Sequence, residues 1–294
     1  MDLDDLIINY PKLPKPLEID IVIDGGSFNG YNTLGGLMLI KKLENINYLK
    51  VIRISGSSVG ALLGFSYFNN TLEKSLEFDK NIKSYLKKNI SLKIIKKHIK
   101  NEVKNMSESN FNKIKKNKLF ISYFEKKKER IVKKKYKNKN NLINSLIKSS
   151  YIPFLVNKKI YYKKNKSIDG IYAYIFKNLK RKTLIFDNKK VITMFKLKNE
   201  INPCERILDG ILKTHKLILK NESSKLCNYI NEWNYLDFIK RWIFKFITYI
   251  ILLLFSFINS VNERYFSNKS NEYNFIELFK NSTKYLLLKY IFEN

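Results

Sequence analysis

Histidine, cysteine and acid are all scarce in this 294-residue chain, and each scarcity excludes something. Two cysteines, Cys204 and Cys227, make no disulfide framework, and no Cys-x-x-Cys pair exists. A zinc site would need ligands as scattered as these two and His215, so no metal is expected. An Asp-rich, Gly-centred calcium loop is also missing. The two histidines, His98 and His215, both lie among lysines and are expected at the surface. The N-terminus lacks a basic segment followed by an apolar one. No signal peptide is expected, and an intracellular setting follows. Against 26 acidic side chains stand 56 basic ones, a net charge of +30. Part of that excess can be a solvated lysine surface. The rest calls for an anionic partner, phospholipid head groups or nucleic acid.

Apolar residues make up 45% of the chain, enough for a sizeable core. Residues 1–17, with Pro11, Pro14 and Pro16, read as an irregular lead-in. Ile19–Ile23 is a short β-branched run that ends at Asp24-Gly25-Gly26, and the spacing of Leu34, Leu37 and Met38 predicts a helix. Leu49–Ile54 reads as a second buried strand, and the apolar stretch Ala61–Phe68 as a buried helix. This alternation predicts an α/β domain with a mainly parallel sheet over 18–200. Residues 71–142 are expected to form a basic helical insertion, since 81–140 alone hold 21 basic and four acidic side chains. The sheet pattern resumes at Ile160–Tyr162 and Ser167–Gly170, with further strands at Thr183–Phe186 and Val191–Phe195. Residues 201–294 read as mainly helical. Phe246–Asn262 carries no charge. It fits a buried core helix, a membrane-inserted one, or an interfacial one with Lys240, Arg241 and Lys245 near lipid phosphates.

Glycine is sparse but concentrated. Eight of the ten lie between Gly25 and Gly64, and a ninth is Gly170, which points to loops with unusual backbone geometry. The first loop, Asp24-Gly25-Gly26-Ser27-Phe28-Asn29-Gly30, leaves backbone N–H groups uncovered where they can face an anion. It fits neither the P-loop nor the dinucleotide pattern. An oxyanion hole is the better reading. The second, Gly56-Ser57-Ser58-Val59-Gly60, joins a strand to a helix, the setting a nucleophile turn requires, with Ser58 at its centre. A serine needs a general base. A Ser-Asp-His order with His215 is possible, though nothing local supports it. Asp169, in the turn Asp169-Gly170, is a carboxylate that can meet the serine directly, although Asp-Gly alone reads better as an ordinary turn.

Taken in order, these pieces resemble the patatin-like phospholipase family. Asp24–Gly30 is similar to its DGGGxRG loop, Gly56–Gly60 to its GxSxG turn, and Asp169-Gly170-Ile171 to its DG[GA] motif. Ser149-Ser150-Tyr151-Ile152-Pro153 resembles the Ser-rich, Pro-containing segment that often precedes the last motif. Ser27, Asn29 and Ile171 depart from the pattern. The resemblance spans about residues 18–200. It implies a three-layer α/β sandwich and a serine lipid acyl hydrolase with a Ser58–Asp169 dyad. It also implies oxyanion donors from Gly25, Gly26, Ser27 and Val59, and no cofactor or metal. Two other readings stand beside it. One is an inactive relative acting as a membrane-surface protein. The other is a basic nucleic-acid-binding protein, for which lysine with interleaved aromatics is suitable but no motif is present.

Overall fold

The computed structural model describes residues 3–8, 10–26, 29–89, 93–125, 128–153, 161–162, 166–188 and 202–265. In chain order it runs α1 (Leu3–Ile7), β1 (Leu17–Ile23), α2 (Tyr31–Asn45), β2 (Leu49–Ser57), α3 (Val59–Asn69), α4 (Lys74–Asn89), α5 (Lys93–Lys104), α6 (Glu108–Lys115), β3 (Leu119–Glu125), β4 (Lys128–Lys133), α7 (Lys139–Ser149), β5 (Ser167–Ile168), β6 (Lys182–Phe186), α8 (Pro203–Lys220), β7 (Cys227–Tyr229) and α9 (Tyr235–Tyr265). The seven strands form one mixed sheet of order β4-β3-β2-β1-β6-β7, with β5 paired to β3. Its centre, β3-β2-β1-β6, is parallel, and β4, β5 and β7 add antiparallel. The chain is therefore α/β, in an arrangement compatible with three layers.

Strand β1 shows why the sheet is buried on both faces. Its side chains alternate with period two. Ile19, Ile21 and Ile23 enter the main core with α2, α3, α7 and α8. Val22 points the other way, into a smaller core with Phe120, Phe176 and Ile185. Parallel strands covered on both sides need this near-continuous apolar run. The exception is Asp20, fully buried and paired with Arg53 of β2 at 2.7 Å.

Several sequence expectations are corrected. The segment 71–142 is helical to Lys115, then supplies two strands of the sheet before α7 begins at Lys139. The run Leu119–Phe124 is almost entirely buried, but its signal is diluted by the lysines on either side. The lead-in holds a short helix, and Tyr10 is part of the core. Strand β7 is three residues long, too short to leave a pattern. Val191–Phe195 and residues 266–294 lie outside the described residues. The glycines do not all serve loops, and none has a positive φ among the described residues. Gly35 and Gly210 sit inside α2 and α8, where a Cβ would lie 2.0 Å from the Ile207 carbonyl oxygen or 1.9 Å from that of Asn32. They permit close helix–helix approach.

Candidate active site

Four segments meet beyond the carboxyl ends of β1 and β2, where open α/β sheets bind ligands. Ser58 stands between β2 and α3 with φ 52° and ψ −129°, outside the regions open to L-residues without strain. This bend lifts the side chain off the sheet while the next residue starts a helix. The flanking glycines have a steric reason. A Cβ at Gly60 would sit 2.3 Å from the Ile23 carbonyl oxygen, and one at Gly56 would sit 2.4 Å from that of Gly60.

Asp169 follows β5 and is 8% exposed. Its Oδ1 accepts the Ile171 N–H at 2.7 Å, while its Oδ2 is buried without a hydrogen-bond partner. Burial raises the carboxyl pKa to about 6, against the opposing pull of the Ser58 hydroxyl and the Ile171 N–H. The Ser58 hydroxyl therefore lies close enough to act on this carboxylate, although no hydrogen bond joins the two. Catalytic hydrogen bonds are often loose before substrate arrives.

The Ser149–Tyr151 segment ties the two together. Ser149 Oγ accepts the Ser58 N–H at 2.9 Å and donates to the Ser122 carbonyl at 2.7 Å. The Asp169 N–H donates to the Tyr151 carbonyl, and the Gly170 N–H to that of Ser149. A side chain on Gly170 would strike the Ser122 carbonyl oxygen at 2.1 Å.

The loop after β1 corrects one expectation. The Gly25 N–H donates to the Ile171 carbonyl at 3.0 Å, so it is not open to an oxyanion. Ile171 reaches this position with φ 52°, a strained conformation for a β-branched residue. The N–H groups of Gly26 and of Val59 at the start of α3 have no protein partner among the described residues. Ser27 lies outside the described residues.

Beneath the loop, Asp24 is fully buried and accepts both Nη1 and Nη2 of Arg241. Arg241 Nη2 also donates to the Ala173 carbonyl at 3.0 Å, and the Ala173 N–H to Asp24 Oδ1 at 2.8 Å. Arg130 Nη2 donates to the Tyr172 carbonyl at 3.2 Å, and its guanidinium lies 4.5 Å from the Tyr172 ring centroid. Burial lowers its pKa to about 10, which leaves it cationic at neutral pH. The sequence assigns neither arginine to the site, and places Arg241 near lipid phosphates only if its helix is interfacial. A signal was available: arginine is rare in this lysine-rich chain, and buried sites that need a flat, multidentate cation favour it over lysine.

A cavity of about 120 Å³ opens beside Ser58 between α2, α3, α4 and α5, with mostly apolar lining that includes Leu34, Leu62, Leu63, Phe78, Ile82 and Ile99. His98 also lines it. It is not the surface residue expected: it stacks on Phe78 with ring centroids 3.4 Å apart, and burial lowers its pKa to about 4. His215 is half-buried, and its Nδ1 bonds the Tyr10 hydroxyl at 3.0 Å. No cluster of three or more metal-ligating side chains occurs among the described residues. Cys204 and Cys227 are both free.

Such an arrangement can bind an ester beside a strained serine, with a carboxylate in reach of the hydroxyl proton and two backbone N–H groups nearby. In comparisons with known proteins, no family model matches the chain and no curated protein matches it.

Proposed function

We propose that the protein is a serine acyl hydrolase of the patatin-like type that cleaves carboxylic esters of lipids at a membrane surface. The observation that carries this reading is the backbone of Ser58, held at φ 52° on a strand–helix turn with the Asp169 carboxylate beside its hydroxyl. Strain of this kind persists only where the surroundings impose it, and it clusters at active sites. The apolar cavity opening at Ser58 suits an acyl chain.

In the proposed reaction Ser58 Oγ attacks the ester carbonyl carbon while Asp169 takes the hydroxyl proton. The N–H groups of Val59 and Gly26 stabilise the oxyanion. Collapse of the tetrahedral intermediate breaks the bond to the leaving alkoxide, which receives the proton from Asp169 and departs as an alcohol. Water then attacks the acyl-serine, Asp169 takes a proton from it, and the carboxylic acid leaves as Ser58 is reprotonated. Residues of this chain suffice for every step.

The test is labelling by a fluorophosphonate bearing an alkyl chain, with the modified residue mapped by mass spectrometry. Modification of Ser58, abolished in Ser58→Ala, is expected. Labelling elsewhere only, or ester turnover undiminished in Ser58→Ala, overturns the reading.

A further inference from the structure

Helix α9 is turned inside out. Its inward face carries polar groups: Arg241 is 5% exposed and Thr248 is 3% exposed. Its outward face is apolar. Trp242 is 64% exposed, Phe246 52% and Leu254 56%, and Leu236, Phe238, Ile243, Ile247, Tyr249 and Ile250 are exposed with them. Trp242 and Phe246 stack on this outer face, with centroids 5.7 Å apart and planes 9° apart. A contiguous apolar patch of this size on one helix marks a surface with a non-aqueous partner.

We propose that this face docks the protein onto an anionic lipid bilayer, with α9 lying in the plane of the interface. Charge identifies the occupant. The chain carries +30, and between Asp237 and Glu263 the helix has no acidic side chain. Lys240, at the start of the patch, is exposed and shares a 3.5 Å ion pair with Asp237, so the attraction to an anionic surface comes chiefly from the net charge of the chain. The same +30 on a second copy opposes pairing of two such faces. The inward face fixes the orientation: Arg241 is bound to Asp24 and Ala173, and Phe244 packs on Tyr172 with centroids 6.3 Å apart. Only the outer half of the helix is available, which suits interfacial immersion of one face. No helix among the described residues is long and apolar enough to cross a membrane. Trp and Phe beside lysine suit the head-group boundary. Because Asp24 and Tyr172 border the candidate active site, docking through α9 would hold that site close to the lipid. The docking stands on the surface alone; only its benefit to catalysis rests on the proposed hydrolase reading.

The test uses the full chain and a triple variant, Trp242→Ser, Phe246→Ser, Ile250→Ser, none of which belongs to the proposed machinery. Co-sedimentation is measured with phosphatidylglycerol–phosphatidylcholine vesicles and with phosphatidylcholine vesicles. Trp242 emission is read in Trp233→Phe backgrounds, with brominated lipids as quenchers. Tighter binding to the anionic vesicles is expected, with a blue shift and quenching of Trp242. The triple variant should bind about a hundredfold more weakly. It should still hydrolyse a soluble short-chain ester at the parent rate. Binding unchanged in the triple variant overturns the proposal. So does a Trp242 already shielded from iodide without vesicles, which would show that the chain covers its own face. A dimer in sedimentation velocity that the triple variant dissociates would assign the face to a second copy instead. Vesicle binding as expected, with no ester turnover by the parent chain, would leave the docking in place and overturn only the hydrolase reading.

Discussion

Arg241 and Asp24, 217 residues apart in sequence, form a buried two-point ion pair that fastens α9 to the loop after β1. Asp24 is the first residue of the glycine-rich loop, and the Ala173 carbonyl on the same guanidinium belongs to the segment that carries Asp169. One side chain thus braces both loops of the candidate site from behind.

Breaking this pair on one side strands a buried charge. Arg241→Gln is expected to lower unfolding free energy by about 3–5 kcal/mol, while Asp24→Asn with Arg241→Gln should cost clearly less than the sum of the two single changes. Urea denaturation of the four proteins gives the coupling directly. Additive losses would mean that the two groups do not act as a pair.

Ser58 holds a backbone conformation that glycine adopts at little cost. Ser58→Gly is expected to abolish ester hydrolysis while raising stability by about 1 kcal/mol, since relief of strain exceeds the added chain entropy. Ser58→Ala should abolish hydrolysis without that gain, because alanine keeps the Cβ. Thermal unfolding of the two variants side by side separates the effects.

Asp169 titrates near pH 6, above its ordinary value of 3.8, because it is buried. As a general base it must be ionised, so kcat/KM for a neutral ester is expected to rise through about pH 6 and level off above it. Stability should run the opposite way. A carboxyl with a raised folded-state pKa favours the fold below its unfolded pKa, and that contribution is lost as pH rises through the folded pKa. Asp169→Asn should therefore stabilise the protein at pH 8 by up to about 3 kcal/mol and have little effect at pH 3. Equal Tm shifts at both values would contradict the assignment.

The cavity beside Ser58 predicts a preference by acyl length. Leu62→Trp, on its wall, is expected to cut hydrolysis of a dodecanoyl ester at least about tenfold and leave the acetyl ester nearly unchanged. His98, neutral in its stack on Phe78, is not needed as a base. His98→Phe should keep acetyl-ester turnover and leave the pH profile in place. Loss of both esters in a folded His98→Phe protein would transfer the base role to the histidine.

The local signals of the candidate site were legible because they are local. A strand, a glycine-flanked serine and an apolar helix follow each other within Leu49–Asn69, and the sequence alone placed the turn and the residue at its centre. Asp24 and Asp169 were visible in the same way, as short motifs at strand ends, whereas Ser149–Pro153, at the end of α7, was picked out only by the resemblance. The parallel character of the sheet followed from β-branched runs alternating with helical spacing.

Tertiary structure decided what depends on distant partners. The Gly25 N–H is engaged only because Ile171, 146 residues later, adopts a positive φ and presents its carbonyl. The strand Leu119–Glu125 lay hidden among lysines, since charge counted over sixty residues averages away a seven-residue buried run. His98 reads as a surface residue by its neighbours, yet a single helix face turns it onto Phe78. The apolar stretch near the C-terminus reads equally as core or as membrane contact. Hydropathy records how apolar a helix is, and only the packing of Arg241 and Thr248 fixes which side of it faces the protein.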